Sequence, residues 1–158
     1  MNAFAVDQTA SVRWSLPDRF QLRHAGLTVT SPDLPAWVRP FVERLNQLIV
    51  GASADPRGHQ PLNLDDLRDA VDFLLRVMQP DTVQPWVGLL ASGGLQINWR
   101  QGDVEVEAIF DRARDEQVVY LTVGENEWEE PLHSAYSLFG LVADRLSTTG
   151  REQPAVLA

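Results

Sequence analysis

Residues 95–100 and 103–108 alternate apolar with polar side chains on either side of Gln101-Gly102, and an antiparallel hairpin with one buried face satisfies both runs together. A two-residue turn at Gln101-Gly102 sets Arg100 opposite Asp103, Trp99 opposite Val104, Asn98 opposite Glu105, Ile97 opposite Val106 and Gln96 opposite Glu107. Leu95, Ile97, Trp99, Val104, Val106 and Ala108 then share one face, and Gln96, Asn98, Arg100, Asp103, Glu105 and Glu107 share the other. A register slip of one residue would mix the two sets, so the pattern itself fixes which side faces the core.

The flanking segments extend the hairpin. Gly93-Gly94 can take the positive φ of a tight turn and join a strand from Trp86 to Ala91 onto the first arm. Beyond a polar loop over 111–116, Val119, Leu121 and Val123 continue the inward set. The expectation is an α+β fold: a four-stranded antiparallel meander with helices packed on one face, plus an N-terminal strand region. In that region Val12, Trp14 and Leu16, then Phe20 and Leu22, alternate ahead of the β-branched run at 27–30. Whether these strands join the main sheet or form a ribbon of their own is open.

Three helices read from apolar spacing. The first is capped by Asp33, carries Leu34, Val38, Phe41, Leu45 and Leu48 on one stripe, and stops at Gly51. A mobile connection over 51–62 follows. Asn63 caps the second, whose inward residues are Leu67, Val71, Leu74, Leu75 and Met78, and Pro80 ends it. Pro131 opens the third, which runs through Leu146 with an apolar stripe wide enough for burial on two sides, so a homodimer through residues 131–148 is an expectation. Residues 1–10 read as a loose tail, 11–148 as a single domain and 149–158 as a second tail.

A chain of 158 residues buries roughly 70% of its unfolded surface and needs no staples. It has no cysteine, which removes disulfides and thiolate metal sites and fits the cytoplasm. No apolar run is long enough to span a bilayer, so no membrane partner is expected. The net charge of −9 is uneven: residues 1–62 hold six arginines against five acids, residues 63–158 seven against seventeen. A field of that sign repels phosphate backbones and disfavours direct nucleic-acid binding, while it attracts a basic protein.

Catalytic and metal motifs are not recognisable. His24, His59 and His133 fall on three separate segments without paired spacing, which gives no metal site. Gly93-Gly94 lacks the lysine and helix of a phosphate loop, and Ser92 precedes a strand where a nucleophile elbow needs a helix. Asp103, Glu105 and Glu107 form an acidic row with Cα atoms roughly 7 Å apart. Glu125, Glu127, Glu129 and Glu130 surround Trp128, an aromatic in an acidic rim of the kind that anchors a protein partner. The resulting expectation is a non-enzymatic interaction module without cofactor that binds a basic protein through Asp103, Glu105, Glu107, Glu125, Glu127, Trp128 and Glu129. The rivals are a small-ligand or carbohydrate-binding domain with a pocket under the 51–62 loop and, last, a hydrolase built on the carboxylate row.

The strings Asp69-Ala70-Val71-Asp72-Phe73-Leu74 and Gly93-Gly94-Leu95-Gln96-Ile97-Asn98-Trp99, in the order helix, loop, helix and hairpin, carry a resemblance. Over Leu45 to Val123, about half the chain, the sequence resembles a family of small, mostly uncharacterised bacterial proteins with a Gly-Gly-x-Gln-x-x-Trp hairpin. In the loop after the first helix, members often show Asn-Trp-Asp followed by Gly, whereas this chain reads Gly51-Ala52-Ser53-Ala54-Asp55-Pro56-Arg57-Gly58. The resemblance implies an α+β fold and, loosely, the company of toxin–antitoxin or mobile-element genes, hence an antitoxin-like or regulatory role.

Overall fold

The structure is a computed structural model that describes residues 36–54, 57–58 and 60–148, together with the backbone of four short strands between residues 5 and 31. Those strands, β1 (Ala5–Val6), β2 (Val12–Arg13), β3 (Asp18–Leu22) and β4 (Leu27–Ser31), form their own sheet in the order β1-β2-β4-β3. These four strands therefore do not extend the main sheet. The remainder of the expected tails at 1–10 and 149–158, the cap Asp33, and His24 and His59 lie outside the described residues.

The main sheet has five strands, not four: β5 (Trp86–Leu89), β6 (Leu95–Gln101), β7 (Val104–Asp111), β8 (Glu116–Val123) and β9 (Asn126–Pro131), each antiparallel to the next. The fifth is the glutamate-rich segment around Trp128, which folds back on β8 through a two-residue turn at Gly124-Glu125, with Gly124 at φ +60. Register also departs from expectation by one step of the pleat. Gln101 pairs with Val104, Trp99 with Val106 and Asn98 with Glu107, so the turn is Gly102-Asp103 and Gly102 takes φ +59. Moving each partner by two residues preserves its face. The apolar set from Leu95 to Ala108 is accordingly buried to the last residue, with Trp99, Ile97 and Leu95 at zero exposure.

Helices α1 (Val38–Ala54), α2 (Leu64–Val77) and α3 (Ala135–Val142) supply the cover. Asn63 caps α2 as its sequence indicates, its Oδ1 accepting the Asp65 and Asp66 amides at 2.9 and 3.2 Å. Helix α1 runs through Gly51 instead of ending there: that glycine has no atom within 4 Å of a notional Cβ and does not adopt a positive φ. The third helix is shorter than its apolar stripe, since β9 claims residues up to Pro131 and tight 3-10 turns at Leu132–Ser134 and Ala143–Leu146 flank α3.

Phe73 on α2 is the hub of the core. Its ring sits 6.2 Å from Trp99, 5.9 Å from Phe110 and 6.2 Å from Phe139, and Trp99 and Phe139 meet edge to face at 5.2 Å. One aromatic cluster thus joins α2, β6, β7 and α3. The buried Trp99 indole directs its N–H at the Met78 sulfur, 3.3 Å away.

The Gly-Gly pair of the hairpin string has a structural task. Leu90 to Gly94 turn between β5 and β6, and Gly93, at φ +90, lies under the segment leading into α2. Its carbonyl accepts the Asn63 amide at 2.9 Å, Ala91 accepts from Gln60 at 3.0 Å, and a Cβ on Gly93 would stand 2.3 Å from the Pro61 carbonyl oxygen. Residues 60–63 are therefore strapped onto the turn, where the sequence suggests a mobile loop over a pocket.

Gly93 and Gly102 both hold positive φ, yet only Gly93 has backbone against it. Gly102→Ala is expected to cost about 1 kcal/mol, the strain of a left-handed alanine. Gly93→Ala should cost at least about twice that, because the Pro61 backbone has to move as well. Urea unfolding of the two variants measures the difference.

Candidate functional site

Helices cover one face of the main sheet, and no described element covers the other. On the uncovered face the register builds a row across all five strands: Trp86, Asn98, Glu107, Tyr120 and Glu129. A second row runs Arg100, Glu105, Thr122 and Glu127. Two shallow grooves of about 280 and 210 Å³ lie along these rows and adjoin at Thr122.

Three of these side chains are held by their neighbours. Gln96 Nε2 donates to Glu107, and Asn98 Nδ2 donates to Glu105 Oε1 at 2.8 Å, so the two amides of β6 orient the two carboxylates of β7. Trp86, 51% exposed, lays its ring across Gly88, where a Cβ would come within 2.5 Å of the indole. Glycine is thus what lets the indole lie flat on the sheet.

The face carries negative potential that its own groups register. Burial pushes the Glu107 carboxyl above its usual range, the charges of Glu105 and Glu116 push the same way, and the Gln96 hydrogen bond offsets part of it. The Tyr120 phenol is also raised, first by desolvation and then by Glu129, Glu116 and Glu107.

The expected site residues divide into three groups. Glu105, Glu107, Glu127 and Glu129 come together on the open face. Asp103 and Glu125 occupy the turns at one end of the sheet, where Gly124 N donates to Asp103 O at 3.0 Å and Arg145 forms an ion pair with the Asp103 carboxylate. Asp103 therefore borders the smaller groove from the turn, paired with Arg145, and is not a member of the row. Trp128 pairs with the inward Leu121, so alternation assigns it to the opposite face, where it remains 45% exposed at the sheet edge. His133 is exposed in the turn before α3, and no cluster of three metal-ligating side chains exists among the described residues.

The amides Gln96 and Asn98 belong to this face as their alternation indicates, and so does Tyr120; Trp86 joins them through its pairing with Asn98. A hydrolase would need its carboxylates in an enclosing cleft; Glu105 and Glu107 instead line open grooves and are engaged by amides.

A second acidic feature lies beneath the sheet corner. Asp66 and Asp111 are fully buried; Asp66 Oδ1 accepts the Arg112 amide at 3.1 Å and Asp111 Oδ2 accepts the Ser92 hydroxyl at 2.6 Å. Asp66 Oδ2 and Asp111 Oδ1 are buried without a hydrogen-bond partner. Burial raises the Asp66 pKa, the Arg112 amide lowers it in part, and the Asp111 charge raises it further. Around the pair, Asp69 binds Arg112 at 2.6 Å and accepts from Gln117 at 2.8 Å, which pins α2 to the corner of β7 and β8.

Comparison of the chain with protein-family models, curated proteins and solved structures gives no match.

A carboxyl whose folded pKa lies above its unfolded value stabilises the fold in its protonated form. That contribution is complete below about pH 4 and is lost as pH rises through the folded pKa. Asp66→Asn keeps the acceptor for Arg112 and removes the charge. It should raise stability at neutral pH and flatten the decline that sets in above about pH 4, measured by urea unfolding from acidic to neutral pH.

Proposed function

We propose that the chain is a non-enzymatic interaction module, antitoxin-like or regulatory in kind, whose open sheet face receives a basic protein. The observation that supports this reading is the row Trp86, Asn98, Glu107, Tyr120 and Glu129, backed by Glu105 and Glu127. The Glu107 carboxyl, its pKa raised, stands between the Trp86 and Tyr120 rings in the row, on a surface without an ion pair at Glu105, Glu107, Glu127 or Glu129 among the described residues. A guanidinium suits both parts: it pairs with a carboxylate through its fork of N–H donors and stacks on an indole or phenol face. Each such contact also relieves repulsion among the acids, so the face is stabilised by an arginine-rich guest and by no anionic one.

The test is titration with an arginine-rich peptide, followed by calorimetry at low and physiological salt. Reversal of Glu105, Glu107 and Glu127 to lysine should weaken binding at least tenfold, about 1.4 kcal/mol, and leave the Tm within a few degrees because all three side chains point outward. Equal affinity of the reversed and native chains would exclude the face.

A second reading rests on Leu141, which is 78% exposed on α3 while its neighbours Leu138 and Val142 are buried. It supports a homodimer through residues 131–148. Sedimentation equilibrium should then show a dimer that Leu141→Asp converts to monomer; a native chain that is monomeric at high concentration contradicts it.

A further inference from the structure

The two edges of the main sheet are treated differently. At β5 the edge is covered by α1, and Arg44 Nε donates to the Val87 carbonyl at 3.3 Å, filling a backbone acceptor that β6 does not use. At β9 no strand follows in the sheet order among the described residues, and Asn126, Glu127, Trp128 and Glu129 are all exposed.

Register identifies which backbone groups are free there. The two-residue turn closes on the pair Val123 and Asn126, so the ladder between β8 and β9 uses Asn126, Trp128 and Glu130. The amides and carbonyls of Glu127 and Glu129 therefore point away from β8, and Pro131, which has no N–H, ends the run. The side chains flanking this edge differ by face. Glu127 and Glu129 stand on the open anionic side, and Trp128 stands on the other.

We infer that β9 accepts an additional strand, and that the guest is an extended segment of a partner protein alternating basic with apolar residues. This rests on the reading of the open face as a site for a basic protein, and specifies how that protein is held. Backbone hydrogen bonds to Glu127 and Glu129 continue the ladder. Basic side chains of the guest fall on the face of Glu127 and Glu129 and continue the anionic rows, while its apolar side chains fall against Trp128. A second copy of the chain is a poor guest, because antiparallel pairing of two β9 strands through their outward groups sets glutamate against glutamate.

The experiment uses the full chain and two synthetic peptides of about eight residues alternating lysine with valine, one of them N-methylated at every second amide so that charge is kept and the ladder donors are lost. Amide exchange is followed residue by residue by NMR. Strand addition predicts that the plain peptide slows exchange at Glu127 and Glu129 at least tenfold, with little change at Trp128 and Glu130, and that N-methylation weakens binding at least tenfold. If both peptides bind alike, shift Glu105 and Glu107, and leave Glu127 and Glu129 exchange unchanged, the edge proposal is overturned while the basic-partner reading stands. If neither peptide binds at low salt, both are overturned.

Discussion

Burial of Trp99 and Phe73 against each other is the constraint on which the rest of the molecule depends. The contact draws α2 onto β6 and β7, and through Phe110 and Phe139 the same cluster takes in the end of β7 and α3. Large aromatics dominate core energetics, and a side chain such as Phe73 at zero exposure is typically worth about 3–5 kcal/mol on truncation. Once that face is filled, strict alternation leaves no choice for the neighbours: Gln96, Asn98, Glu105 and Glu107 must face solvent.

The strap over the β5–β6 turn works with the aromatic cluster. Gly93 admits the backbone of Pro61 and Asn63, which sets the start of α2, and α2 then brings Asp66 and Asp69 to the Arg112 corner. The buried carboxylates Asp66 and Asp111 sit where this helix start meets the sheet. Their unpartnered oxygens detract from stability, whereas Asp69, Arg112 and Gln117 hold the same corner from the surface.

Much of this was legible in the chain because alternation tolerates error. The turn was placed one residue early, yet partners shift by two positions and every side chain keeps its face, so the composition of core and open face read correctly. Strand β9 was missed for a physical reason: Glu127, Glu129 and Glu130 have little intrinsic strand preference, and the segment becomes a strand by pairing with β8. Helix α1 outran Gly51 because a glycine stops a helix by adopting a left-handed conformation, and Gly51 does not. The Asp66–Asp111 pair was invisible, since the two residues lie on different elements and meet only through tertiary packing. Within the open face, the carboxylates were legible by charge and Tyr120 by its alternation with Val119 and Leu121; Trp86 required the cross-strand register.

The central claim is that the main sheet is dressed on one side only and that its bare side attracts cations. Paired paramagnetic cosolutes, one cationic and one anionic, measure this directly through the relaxation of side-chain protons, which alternate between the two faces. The cationic probe is expected to enhance relaxation at Glu105, Glu107, Tyr120, Thr122, Glu127 and Glu129 well above the anionic probe, with neither reaching Ile97, Trp99 or Val106. Equal enhancement by both probes, or silence at Glu107 and Tyr120 under either, would contradict it.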